Sequence, residues 1–146
     1  MKKTVLALGL IATGTLALAH AGATGIVKER MDGMGELAKS MNALVNMNKS
    51  GDVDAKQVAA IAQTIQSHSG VVMTDRFPEG SLPNVSEAAP LIWTDWDRFA
   101  AISDELFHVA QRMETSVATQ DFDLGLYVKE LGATCSACHS DFRIKK

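Results

Sequence analysis

The sequence predicts an all-α protein, an antiparallel four-helix bundle. Three observations carry this. Apolar residues recur at alternating four- and three-residue steps in four separate segments. No stretch of useful length alternates apolar and polar residues as a half-buried strand would. All three prolines fall in one long connection, so the strongest helix breakers lie between the periodic segments and not inside them. Stripes of this width cannot be buried singly, and four of them packed together enclose one core.

Residues 1–19 read as a secretory signal. Lys2 and Lys3 form the charged start, residues 5–18 form a small apolar run, and Ala17-Leu18-Ala19 fits the small-x-small cleavage pattern. The expected cut follows Ala19, with Ala21 and Ala23 as alternatives, and leaves residues 20–146 as one domain. The apolar run falls short of the ~18–20 residues a spanning helix needs, so the mature chain is expected in the periplasm with no membrane span.

The first helical segment covers residues 25–49. Val27, Met31, Met34, Ala38, Met41 and Val45 form its stripe, Leu37 and Leu44 widen it, and Ser50-Gly51-Asp52 ends it. The second covers residues 54–74, with Asp52 or Asp54 as N-cap and Val58, Ile61, Ile65, His68 and Val72 on one face. Residues 75–90 make a connection long for a bundle, suited to a crossover or a lid over a pocket. The third helix is expected over residues 89–119, with Ile92, Trp96, Phe99, Ser103, Leu106, Ala110, Met113 and Val117 inward. A short break at Gln120 and Asp121 precedes the fourth, for which Asp121 is the expected cap. Leu124, Val128, Leu131, Cys135, Cys138 and Phe142 share its seam.

The last helix carries Cys135-Ser136-Ala137-Cys138-His139, which reads C-x-x-C-H. That is the attachment pattern of a c-type haem. Each thiol adds to one vinyl group of the porphyrin, and the two intervening residues let both sulfurs reach the same haem edge. His139 then lies under the iron as an axial ligand. A thioredoxin-like dithiol would sit in an alternating strand–helix pattern, and a structural zinc site would need a second Cys/His pair; neither is present. These are the chain's two cysteines. A bond between them would close a loop too small to restrict the unfolded chain, so stapling is a poor use for the pair. Because they lie on the apolar seam, the expected fold is a bundle with covalently bound haem inserted near one end, its plane along the helices.

Loss of Lys2 and Lys3 moves the net charge from −3 to −5, which weighs against nucleic acid or an anionic membrane surface as partner. Asp95, Asp97, Asp104, Glu105 and Glu114 are spread along the third helix as a solvated face. There is no Ser/His/Asp constellation, phosphate loop or carboxylate metal cluster, so the chain is not expected to be an enzyme.

The motif lies near the C-terminus, on the last of four helices. This placement resembles the class II c-type cytochromes, the cytochrome c prime family. In Cys135-Ser136-Ala137-Cys138-His139-Ser140-Asp141-Phe142-Arg143 the His is followed four residues later by Arg, as in that family. Leu91-Ile92-Trp93-Thr94-Asp95 resembles the family's Ile-Trp-Ser-Asp opening of the third helix, and the stretch from Arg30 to Ser50-Gly51 resembles its first helix. The resemblance implies one haem c and one of two functions. In low-spin members a Met of the first helix fills the sixth position and the protein carries electrons between redox partner proteins. In five-coordinate members that position is open and binds nitric oxide or carbon monoxide. It also implies that homodimers, through the first helix, are common.

The spacing Met34-x6-Met41 and the distance to Lys49 resemble the low-spin members, making Met34 the expected distal ligand. Met31, one turn earlier on the same face, and an open site are the alternatives. Met is also a common core filler, and this helix carries four. His68 lies on an apolar seam, where a packed histidine is commoner than a ligand; His20 and His108 read as solvated. Arg30, one turn before Met34, and Arg143, one turn after His139, each suit a haem propionate, because a guanidinium matches a carboxylate bidentately. Either could instead be an exposed helix cation. The reading is a single-electron carrier, with gas binding as its rival.

Overall fold

The computed structural model describes residues 22–82 and 85–144. The predicted signal segment and His20 lie outside the described residues. Six helices follow in order: α1 Gly25–Ser50, α2 Ala55–Gln66, α3 Val71–Thr74, α4 Leu91–Thr94, α5 Trp96–Ser116 and α6 Leu124–Phe142. The four long ones, α1, α2, α5 and α6, form an antiparallel bundle in which α1 packs on α2 and α6, and α5 packs on the same two. Side-chain bonds between helices run in opposite directions along the chain, as antiparallel neighbours require. Gln63 and Gln66 of α2 donate to Glu114 of α5 at 2.7 and 2.6 Å. Arg98 and Arg112 of α5 reach Asp141 and Glu130 of α6.

The end of α1 and the start of α2 are set by local chemistry. α1 stops where Gly51 takes φ 72°, a left-handed conformation suited to glycine, and its N–H donates to the Met47 carbonyl at 3.0 Å. Asp54 caps α2, its carboxylate accepting from the Lys56 and Gln57 amides at 2.8 and 3.1 Å.

The structure corrects four expectations. The second helix does not run on to residue 74. Ser69 turns its hydroxyl onto the Ile65 carbonyl at 2.7 Å, and Gly70 adopts φ 60°, ψ −140°. Gly70 and Ser103 exchange bonds: the Gly70 N–H donates to the Ser103 carbonyl at 3.0 Å, and the Ser103 hydroxyl donates to the Gly70 carbonyl at 3.1 Å. The backbone thus trades helix for a stitch onto α5. Beyond the break Val72 is exposed and Met73 is buried in its place.

The third helix divides at Asp95, whose φ −131°, ψ 49° interrupts the α geometry, and its main part ends at Ser116. The break turns Trp96 away from the core to 38% exposure, while Ile92 and Phe99 stay buried.

The cap of the last helix is Asp123, not Asp121; its carboxylate accepts from the Leu126 amide at 3.2 Å. In urea melts of the haem-loaded protein, Asp123→Ala should cost about 1 kcal/mol, as loss of an N-cap does. Asp121→Ala should stay within about 0.5 kcal/mol.

Finally, the buried residues of α1 are Val27, Arg30, Gly33, Leu37, Ser40, Leu44 and Met47. The methionine side of the predicted stripe is only half-buried. Glycine at 33 and serine at 40 let α1 be covered closely; a Cβ at Gly33 would lie 2.5 Å from the Arg76 guanidinium.

The two ends of the bundle differ. Leu44, Val58, Ala62, Ile65, Val109, Met113 and Leu131 fill one end and are almost wholly inaccessible. They come from the C-terminal half of α1, most of α2, the C-terminal half of α5 and the N-terminal half of α6. At the other end α1, α5 and α6, with Met73 of α3, the connection at Phe77 and Ser86 to Ala88, and Ile92 of α4, enclose a cavity.

Candidate functional site

Positions 135, 138 and 139 fall on one side of a helix, at i, i+3 and i+4. α6 turns that side inward, so Cys135, Cys138 and His139 line the cavity together with Phe142 and Arg143. α1 supplies a second wall with Arg30, Met31, Met34, Ala38 and Met41. Phe77, Ile92, Phe99 and Leu106 close the interior. The cavity holds about 580 Å³, within the ~300–1,000 Å³ of cofactor pockets, and its lining is mainly apolar. All seven residues singled out from the sequence lie on it. His68 does not; its Nδ1 stands 3.2 Å from the Arg76 guanidinium, against α1. Met31, Met34 and Met41 are half-buried and border the cavity, while Leu44 and Met47 of the same helix are buried in the helical core away from it.

The electrostatics are those of a binding wall, not of a reactive dithiol. Burial raises both thiols, Cys138 to about 11 with the neighbouring Cys135 adding to it, so neither is an activated nucleophile. His139 keeps an exposed side. Desolvation, and then the Arg143 charge, lower its imidazole from the ordinary value, while Glu87 opposes. A neutral imidazole is the form that binds a metal. Among the described residues no three His, Cys, Asp or Glu side chains group as a metal cluster.

The two arginines do more than the sequence suggested. Arg30 is only 4% exposed, and burial lowers its pKa from the usual guanidinium value. It donates to the Ser81 hydroxyl at 3.0 Å, to the Ser81 carbonyl and to the Ser86 hydroxyl at 3.1 Å. Its guanidinium also lies 4.9 Å from the centre of the Phe77 ring. Arg143 is exposed and paired with Glu87, through Nε at 2.8 Å and a terminal nitrogen at 2.7 Å. Beside this pair the backbone forms a short antiparallel bridge: the Ala89 N–H donates to the Phe142 carbonyl at 2.9 Å and the Ile144 N–H to the Glu87 carbonyl at 2.8 Å. The predicted lid is thus a strap tied to α1 by Arg30 and to the end of α6 by Arg143. Its Ser86, Glu87 and Ala88 line the cavity rim. Sequence reasoning missed Ser81, Ser86 and Glu87, because nothing local marks a serine or glutamate in a proline-rich loop as the partner of a distant arginine.

The donor set fits haem c. Two thiols and an imidazole share one wall, thioethers stand on another, apolar and aromatic groups fill between them, and buried Arg30 meets no carboxylate among the described residues.

A family model described as Cytochrome C′ matches residues 25–143. The chain belongs to the cytochrome c′ family. It is 34% identical over 134 residues to cytochrome c-556 of Agrobacterium fabrum, covering 91% of this chain and 90% of that protein. Among solved structures, it is similar to a cytochrome c′ with an unusual ligand-controlled dimer dissociation, with TM-score 0.73, 21% identity, and coverage of 86% of this chain and 100% of the other. It is also similar to a nitric oxide complex of a cytochrome c prime mutant from Alcaligenes xylosoxidans, with TM-score 0.72, 24% identity, and coverage of 83% and 94%. Like the family, the chain carries covalent haem c, and its two cysteines fit a single attachment motif. Among the described residues, no helix is long and apolar enough to cross a membrane.

Proposed function

We propose that this cytochrome is an exported single-electron carrier whose iron is held by His139 and Met34. One observation carries the reading: His139 from α6 and Met34 from α1 line the same apolar cavity, with Cys135 and Cys138 beside the histidine. The haem supplies a one-electron couple, which Met/His ligation moves to higher potential. The protein's residues hold and shield it. Cys135 and Cys138 fix it to α6, so that it cannot dissociate. Met34 offers a soft, neutral donor from a helix packed against α6. Phe77, Ile92, Phe99 and Phe142 exclude water, which favours a small change in surroundings between the two oxidation states. Buried Arg30 provides a cation for a propionate. Arg143, already paired with Glu87, would meet a propionate only as a shared partner. Residues 20–146 form the working domain, the compartment is the periplasm, and the chain does no chemistry on a substrate. A homodimer, as in the relative whose dimer dissociates under ligand control, belongs to this reading.

The rival is an open sixth site that binds nitric oxide or carbon monoxide. The visible spectrum of the reduced, haem-loaded protein separates the two. Sharp low-spin bands, with the weak thioether-to-iron charge-transfer band in the oxidised form, are expected for the carrier. A broad high-spin Soret band would establish the rival instead.

A further inference from the structure

A second, shallower hollow lies on the other side of Phe77. Asp75, Phe77, Pro78 and Glu79 from the strap meet Trp93 and Trp96 from α4 and α5 around about 430 Å³ of space. These are the only two tryptophans in the sequence. Trp93 is half-buried and fixed, its indole N–H donating to the Phe77 carbonyl at 2.9 Å. Trp96 is 38% exposed, a large aromatic surface left facing solvent at the groove. Asp75 and Glu79 are exposed and enter no ion pair among the described residues. Indole faces attract a cation through the ring quadrupole, and two uncompensated carboxylates at the rim add to that attraction. The groove is open and lacks the enclosure that would hold a small free ligand, so it suits a protruding side chain.

We propose that this groove docks a lysine or arginine side chain on the surface of the protein that exchanges electrons with this cytochrome. The proposal rests on the carrier reading for the identity of the partner; the recognition rests on the groove alone. Three observations favour a basic partner at this face. The mature chain is acidic, so a cationic partner is steered toward it. Exposed aromatic residues are enriched at the centre of an interface, whose rim is polar, and here the rim groups are carboxylates. The groove also adjoins the haem cavity, since Phe77 lines both hollows. Trp96 lies 5.7 Å from Phe99, and Phe99 lies 5.0 Å from Phe77, ring centre to ring centre, with Phe99 on the cavity wall. A partner seated on Trp96 is therefore one layer of packed aromatic rings from the cofactor.

The test uses reduced, haem-loaded protein with nitrogen-labelled indoles, titrated with a tetralysine peptide and followed by NMR. The expected result is a saturable shift of the two indole N–H signals. Affinity should fall about fivefold in the Asp75→Asn/Glu79→Gln double variant, as loss of two rim charges implies. An Asp52→Asn/Asp121→Asn variant removes the same charge elsewhere and should bind within about twofold of the parent. Unmoved indole signals, or equal weakening in both double variants, would overturn the docking site. The visible spectrum of the same samples reports the sixth ligand separately. A high-spin spectrum with an intact indole response would keep the groove and overturn the redox identity of its partner.

Discussion

Met34→Ala is expected to convert the haem-loaded protein from low spin to high spin. The sharp bands should broaden, and the thioether charge-transfer band should vanish. The reduction potential should fall by on the order of 100 mV, within the ~0.8 V that axial ligands span. The helix itself should survive, since alanine is the best helix former and Met34 is only half-buried against the core. Stability without haem should therefore change much less than the spectrum. Met31→Ala is the control. Met31 lines the same cavity one turn earlier, and its loss should leave the low-spin bands in place. Bands retained in Met34→Ala and lost in Met31→Ala would move the ligand one turn toward the start of α1. Bands retained in both would remove methionine ligation from the account.

The sequence made the cofactor side of this molecule legible because that chemistry is local. Two thiols and an imidazole must lie within five residues of one helix to meet one haem, so the motif carries its own geometry. The stripes of α5 and α6 were legible for a similar reason: Phe99, Ser103, Leu106, Ala110 and Met113 all turn inward, as their spacing requires. What failed was decided by partners distant in sequence. Ser69 and Gly70 end α2 because Ser103 offers a carbonyl and a hydroxyl across the bundle. Trp96 kept the helical period but was turned outward by the break at Asp95. On α1, spacing alone could not separate a face that packs on α2 from one that borders a cavity. Arg30, Gly33 and Ser40 are poor hydrophobes, yet they are buried beside Val27, Leu37, Leu44 and Met47. Arg30 is buried because the strap brings it hydrogen-bond acceptors, and no pattern within α1 contains that information.

Arg30→Met tests whether the strap depends on that residue. Methionine keeps much of the volume and the contact with Phe77, but it removes every donor that holds Ser81 and Ser86. Two opposing effects decide the size. Bonds from a charged donor contribute roughly 1.5–3 kcal/mol each, whereas taking a guanidinium out of water costs several kcal/mol that methionine does not incur. Had Arg30 been a closed buried ion pair, the swap could be neutral. Among the described residues its partners are instead neutral acceptors, so the swap takes the guanidinium from the Ser81 carbonyl and, on the proposed reading, the cation from a propionate. The net loss should be about 2 kcal/mol in denaturant melts of the haem-loaded protein. The location of the change matters as much as its size. Hydrogen exchange should quicken at the Ala89 and Ile144 amides, which tie the strap to the end of α6, and stay slow at core amides of α2 such as Ile65. Arg30→Lys should recover part of the loss, because an ammonium reaches fewer of the acceptors than the planar fork. Unchanged exchange at Ala89 in Arg30→Met would mean that the Glu87–Arg143 pair and the backbone bridge hold the strap without help from α1.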